Sequence, residues 1–321
     1  MNSQIITNKH WEEYQPRVTI ITPVYNRRKE LPRAIQSVKK QVYRNFEYII
    51  IDDGSTETVD DIVEDLMETA DFPVMFIKKE NGGVHTARNK GYEYGRGEFV
   101  LCCDSDDEIT EDSLQIFLDI WETIPTECRN EYWEIVARCR DQHGKGVGWK
   151  FPANINDLNK EEAEKIRDEL HAECSCMRVL SILKKDPFPE PKGVTFMTEN
   201  VLWKKLGKRY KSFYINDEVR IYHTETENSL STKNYNKNLQ NVKNSMWETS
   251  KFINDYYDYQ YGFKAYMMML IRHGIMRHIG NEHHVERDFA RLSRTSAKVL
   301  SLFFWIPTWV GAQVYKKRRM K

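Results

Sequence analysis

The sequence predicts an α/β fold, a mostly parallel sheet flanked by helices, followed by a helical C-terminal region. Three observations carry this. Short β-branched runs alternate with amphipathic stretches through the first hundred residues, those runs stop at polar or acidic residues, and strand patterning ends near Tyr235. Strands alternating with helices build parallel sheets with right-handed crossovers.

Residues 18–22 form a first buried-strand pattern ending at Pro23, and YIIID at 48–52 a second, ending in the acidic pair Asp52 and Asp53. Between them Leu31, Ala34, Ile35 and Val38 fall at i, i+3, i+4 and i+7, the spacing of one apolar helix face. Val59, Ile62, Val63, Leu66, Met67 and Ala70 make a second face, VMFI at 74–77 a third strand and residues 99–103 a fourth.

That fourth strand runs straight into Asp104, Asp106 and Asp107. Carboxylates this close repel one another, and open water, basic partners or a divalent cation can keep them ionised. A solvated acidic turn is the plainer alternative. The strand ends decide between them: Thr22 with Pro23, Asp53 and Asp104 all lie just past a strand, and ligands of such sheets bind beyond the carboxyl ends.

Several ligand classes are excluded. TPVYNRRKE follows the first strand where a dinucleotide site needs G-x-G-x-x-G, and no G-x-x-x-x-G-K-[ST] occurs. An EF-hand counted from Asp104 would need Gly and Glu where Ile109 and Gln115 stand. A nucleoside diphosphate bridged to the aspartates by Mg2+ or Mn2+ fits the residues, because hard cations take oxygen ligands.

Composition sets the class. The 321 residues are 40% hydrophobic and 30% charged, a globular balance, and 48 basic against 48 acidic residues give no global pull toward nucleic acid. The six cysteines lack a disulfide framework or zinc spacing and read as reduced thiols. Residues 1–16 lack an apolar signal segment and are expected as a tail of a cytoplasmic protein.

TPVYNR at 22–27, IIDDGSTE at 50–57, NGGVHTARNKG at 81–91, GEF at 97–99 and DSDD at 104–107 together resemble the inverting glycosyltransferases of family 2, with the GT-A fold. The resemblance covers roughly residues 17–230, implies a GT-A domain at 17–232, and implies roles. Pro23 and Asp53 match positions that hold the nucleotide base, Asn81 and Arg88 the next base and ribose contacts, and Asp104 with Asp106 the D-x-D motif, Asp106 being the principal metal ligand. TENVLWKKL at 198–206 matches the motif that supplies the catalytic base, commonly Glu-Asp; here Glu199 is followed by Asn200. An amide cannot take a proton at neutral pH, so the base role passes to Glu199 or lies elsewhere. YHTETENSLST at 222–232 resembles the segment closing over the diphosphate, with His223 a third metal ligand or phosphate contact. The resemblance implies a nucleotide-sugar donor, UDP-linked, and a glycan or lipid-linked glycan acceptor. A sugar-phosphate nucleotidyltransferase and a non-catalytic nucleotide-sugar-binding scaffold stand as alternatives.

The middle is weakly patterned: residues 133–151 mix strand residues with a Gly-rich turn, and 154–178 have the charge density of a surface helix. Residues 233–321 read as a helical region, in which His273, His278, His283 and His284 suit surface or packing roles. The apolar stretch 299–315 precedes KKRRMK. As a helix it would reach about 25 Å, short of the roughly 30 Å hydrocarbon core, and Pro307 interrupts it. With Trp305 and Trp309 suited to a headgroup interface, residues 299–321 are expected to attach to a membrane surface without spanning it.

Overall fold

The computed structural model describes residues 3–170, 173–223, 239–256, 262–282 and 291–319. By contacts the chain divides into two units, Met1–Phe188 with Leu206–Thr226, and Pro189–Lys205 with Glu227–Lys321.

The first unit is a nine-stranded mixed sheet flanked by helices. Its strands are β1 (Gln4–Thr7), β2 (Val18–Val24), β3 (Phe46–Asp52), β4 (Val74–Lys78), β5 (Phe99–Cys102), β6 (Glu108–Ile109), β7 (Tyr132–Asp141), β8 (Cys174–Val179) and β9 (Lys211–Tyr222), in the order β1-β4-β3-β2-β5-β8-β7-β9-β6. The four strands expected from the sequence, β2 to β5, are mutually parallel, with Val18 opposite both Phe46 and Phe99. Around them β1, β8 and β6 pair antiparallel with β4, β5 and β9. Residues 4–7, set aside from the sequence as tail, thus form the sheet's edge.

Helices α1 (Leu31–Lys39), α2 (Asp60–Thr69), α3 (Val84–Tyr94) and α4 (Ser113–Thr123) join the strands. The apolar face of α1 is the one its spacing predicts: Leu31, Ala34, Ile35 and Val38 are all buried, and Pro32 sits in the first turn, where its missing N–H costs nothing. These residues share one core with Ile20, Tyr48 and Ile50 of β2 and β3 and with Val63 and Leu66 of α2.

The stretch 154–178 departs from a surface helix. Lys160–Leu170 is helical (α5), but Cys174–Val179 is the buried strand β8, joined between β5 and β7. Arg178 disguised it: its guanidinium Nε is 3.0 Å from Oε2 of the fully buried Glu134 of β7, so a residue that reads as surface charge serves an interior ion pair. Helix α6 (Leu180–Lys185) follows.

In the second unit α7 (Asn200–Gly207) begins, and α8 (Leu239–Lys251), continued by one π-type turn at Phe252–Tyr256, packs on α9 (Gly262–Glu282), against which α10 (Thr295–Phe303) and α11 (Trp305–Arg319) also pack. The α10–α11 break falls at Phe304, three residues before Pro307. A proline ring blocks the carbonyl four residues earlier, here that of Phe303, the last residue of α10, and Pro307 itself then fits the first turn of α11. His273 is buried, with Nδ1 3.0 Å from Thr249 Oγ1, whereas His283 and His284 lie outside the described residues.

Candidate active site

The carboxyl ends of β2, β3 and β5 gather most of the residues singled out in the sequence. Pro23 lies in the last turns of β2, and the Asp53 N–H donates to the Val24 carbonyl at 2.8 Å, tying the ends of β2 and β3 together. The buried Asp53 carboxylate accepts from Lys79 Nζ and from the Gly82 and Gly83 N–H groups at 3.0 and 2.7 Å, while Asn81 Nδ2 donates to the Asp53 carbonyl at 2.9 Å. Two glycines are required here. Gly54 has φ +74°, and a Cβ on it would stand 2.7 Å from the Asn81 nitrogen; Gly83, at φ +96°, turns the chain into α3.

Arg88, on the second turn of α3, reaches the acidic loop: Nη2 lies 3.1 Å from Asp104 Oδ1. The other Asp104 oxygen is 3.4 Å from Arg220 Nη2, and Asp106 Oδ2 is 3.4 Å from Arg27 Nη2. Arg33 donates to the Asp106 carbonyl. Asp107 is buried and holds Arg220 from two nitrogens at 2.8 and 2.5 Å, while accepting the His223 N–H at 3.0 Å. Burial pushes the Asp107 carboxyl up to about 6 against the pull of Arg220, so it stays ionised at neutral pH. His223 Nε2 lies 2.8 Å from Glu108 Oε1. A ring of guanidiniums therefore surrounds the Asp104–Glu108 loop. Sequence reasoning assigned no role to Arg27, Arg33, Lys79 or Arg220; only Arg27, within TPVYNR, carried a motif signal.

Asp104 and Asp106 suit a hard divalent cation by chemistry. Burial first, and the neighbouring Asp104 charge second, push the Asp106 carboxyl up, which is the electrostatic state a cation relieves. Among the described residues no group of three or more His, Cys, Asp and Glu is gathered as a metal cage. Two carboxylates, with phosphate and water completing the shell, are the pattern of nucleotide-bound Mg2+.

Glu199 belongs to the second unit, immediately before α7. Its carbonyl accepts the Leu202 and Trp203 N–H groups, and its carboxylate accepts Trp203 Nε1 at 2.9 Å. Glu248 of α8 accepts the preceding Thr198 N–H at 2.6 Å, and burial pushes its carboxyl up. Asn200 is exposed.

A parallel sheet core whose strand ends bring together an acidic loop, arginines and a glycine-rich helix start defines the class of GT-A glycosyltransferases. Comparison names the family: the glycosyl transferase family 2 profile matches residues 19–182, so the chain belongs to that family. A relative from Campylobacter jejuni, GalNAc(5)-diNAcBac-PP-undecaprenol beta-1,3-glucosyltransferase, is 26% identical over 241 residues, 74% of each chain. Other curated glycosyltransferases match over about a third of this chain and as little as 14% of their own length. Staphylococcus aureus TarS 1–349, solved with UDP-GlcNAc, superposes with a TM-score of 0.55 at 18% identity, covering 92% of this chain and 79% of that one. A Pyrobaculum calidifontis mannosyltransferase, solved with GDP-Man and Mn2+, gives 0.54 at 16% identity over 96% and 88%. At these identities the likeness is one of fold.

Proposed function

We propose that this glycosyltransferase uses a UDP-sugar, is metal-dependent and inverts the anomeric centre. The observation that carries the reading is the shared strand edge: Pro23, Asp53 and Asn81 on one side, and Arg88 contacting Asp104 on the other. The nucleotide would lie on the first group and its diphosphate beside the second. Asp104 and Asp106 would hold Mn2+ or Mg2+, with His223 as a third ligand if it gives up Glu108. A bound cation supplies Lewis-acid stabilisation of the departing diphosphate.

The transfer is a single in-line displacement. The acceptor oxygen forms a bond to the anomeric carbon as the bond from that carbon to the diphosphate oxygen breaks; Glu199 takes the acceptor proton, and UDP leaves. Arg27 and Arg88 supply positive charge on the diphosphate side. The Campylobacter relative's name makes a lipid-linked glycan a reasonable acceptor class, which would set the reaction at a cytoplasmic membrane face. TarS and the mannosyltransferase support a nucleotide-sugar donor by analogy of fold.

Glu199→Gln is expected to lower kcat by at least about a hundredfold while leaving donor-induced thermal stabilisation in Mn2+ intact. Unchanged turnover in that variant would move the base elsewhere, and absence of turnover in the wild type with every acceptor class would favour a donor-binding scaffold.

A further inference from the structure

Helices α10 and α11 are built inside out. The residues they bury in the second unit are small or polar, Ala297, Thr308 and Ala312, and of their large apolar side chains Leu300 packs beside Ala297, partly buried. On α9, a Cβ at Gly274 would stand 2.7 Å from the Thr308 side chain, so α11 seats on α9 by close approach of small groups. Most of their other large apolar side chains are exposed: Phe303 is 76% exposed, Leu302 74% and Ile306 66%, with Trp309 about half exposed and Trp305 about half exposed beside the His278 ring of α9. No helix among the described residues is long and apolar enough to cross a membrane. The nine residues of α10 and fifteen of α11 reach about 14 and about 22 Å, and the break at Phe304 keeps them from adding.

We propose that the outward face of α10 and α11 docks in the plane of an anionic lipid surface. An aliphatic and phenyl face interspersed with tryptophans, followed in the sequence by KKRRMK at 316–321, combines the two attractions an interfacial helix uses: apolar burial at the acyl boundary and cations against anionic headgroups. In a chain with equal numbers of acids and bases, five cations in six residues are a local feature. An isologous pair through the same face would bring a second such set to the contact, whereas an anionic leaflet neutralises the first. The inference rests on the lipid-linked acceptor reading for the purpose of the contact alone.

The test is flotation of the full-length protein with phosphatidylcholine vesicles, with and without phosphatidylglycerol, beside the double variant Phe303→Ser, Trp309→Ser. Phe303 is largely exposed and Trp309 half exposed, and neither belongs to the buried apolar clusters of the second unit. The wild type is expected to bind the phosphatidylglycerol vesicles at least about tenfold more strongly than phosphatidylcholine alone, with binding weakened by salt. The variant is expected to lose binding by about tenfold or more while its transfer to a soluble acceptor is unchanged. Equal flotation of the two proteins, or no flotation of the wild type, overturns the proposal. So does a wild-type dimer that the variant dissolves with no vesicle binding by either, which would make a second copy the occupant. Flotation with failure to use lipid-linked acceptors would instead overturn the acceptor reading and leave the surface standing.

Discussion

Arg220 is the residue on which the acidic loop leans. Its guanidinium is buried with Asp107 and also faces Asp104. Removing one partner of a buried pair strands the other charge, whereas removing both does not. Arg220→Gln is therefore expected to destabilise the protein by about 3 kcal/mol, and the added substitution Asp107→Asn to recover most of that, as urea midpoints would show. Recovery absent in the double variant would mean that Arg220 acts mainly through Asp104. The aspartates were legible in the sequence because they follow an apolar strand and fall in an ordered set of motifs. Arg220 was not, because it is a single charge inside a strand, 113 residues from its partner in sequence, and nothing local marks it. The pairing of His223 with Glu108 was likewise out of reach, since it depends on β6 joining β9.

Among the elements, the parallel core was the part most plainly written in the sequence. Its strands are buried on both faces, so they read as continuous apolar runs, and the helices between them show clean apolar faces. Strand β8 and edge strand β1 escaped, the first hidden by Arg178, the second by being short and exposed. Turn and crossing geometry is the finer level that only coordinates give. Gly54→Ala would place a Cβ against backbone at a positive φ, and is expected to cost about 1–3 kcal/mol and to weaken donor binding through the displaced Asn81. In the second unit Gly274→Val should loosen α11 from α9, seen as faster amide exchange in α11 with the sheet unchanged. Comparable exchange in both proteins would show that Thr308 yields without cost.

For the molecule as a whole, net charge is zero by count, so acid sensitivity is expected to come from particular groups. His273 is one. Burial first and Arg277 second lower its pKa to about 4 from an unfolded value of 6.5. The unfolded chain thus binds a proton that the folded one refuses. The corresponding stability is present above about pH 6.5 and is lost as pH falls toward 4, to a total of about 3 kcal/mol. His273→Gln should flatten the urea midpoint over that window relative to wild type; parallel profiles would refute the assignment.

Asp53 carries a consequence for how this enzyme would be dissected. Its carboxylate receives Lys79 and two backbone N–H groups, and its own carbonyl receives Asn81. An alanine survey scored by product formed would rank it beside Glu199, if Glu199 is the base proposed above, as though the two did the same job. They would part on inspection of the damage: one loses chemistry in an intact frame, the other loses the joint that sets helix α3 and its arginine in register.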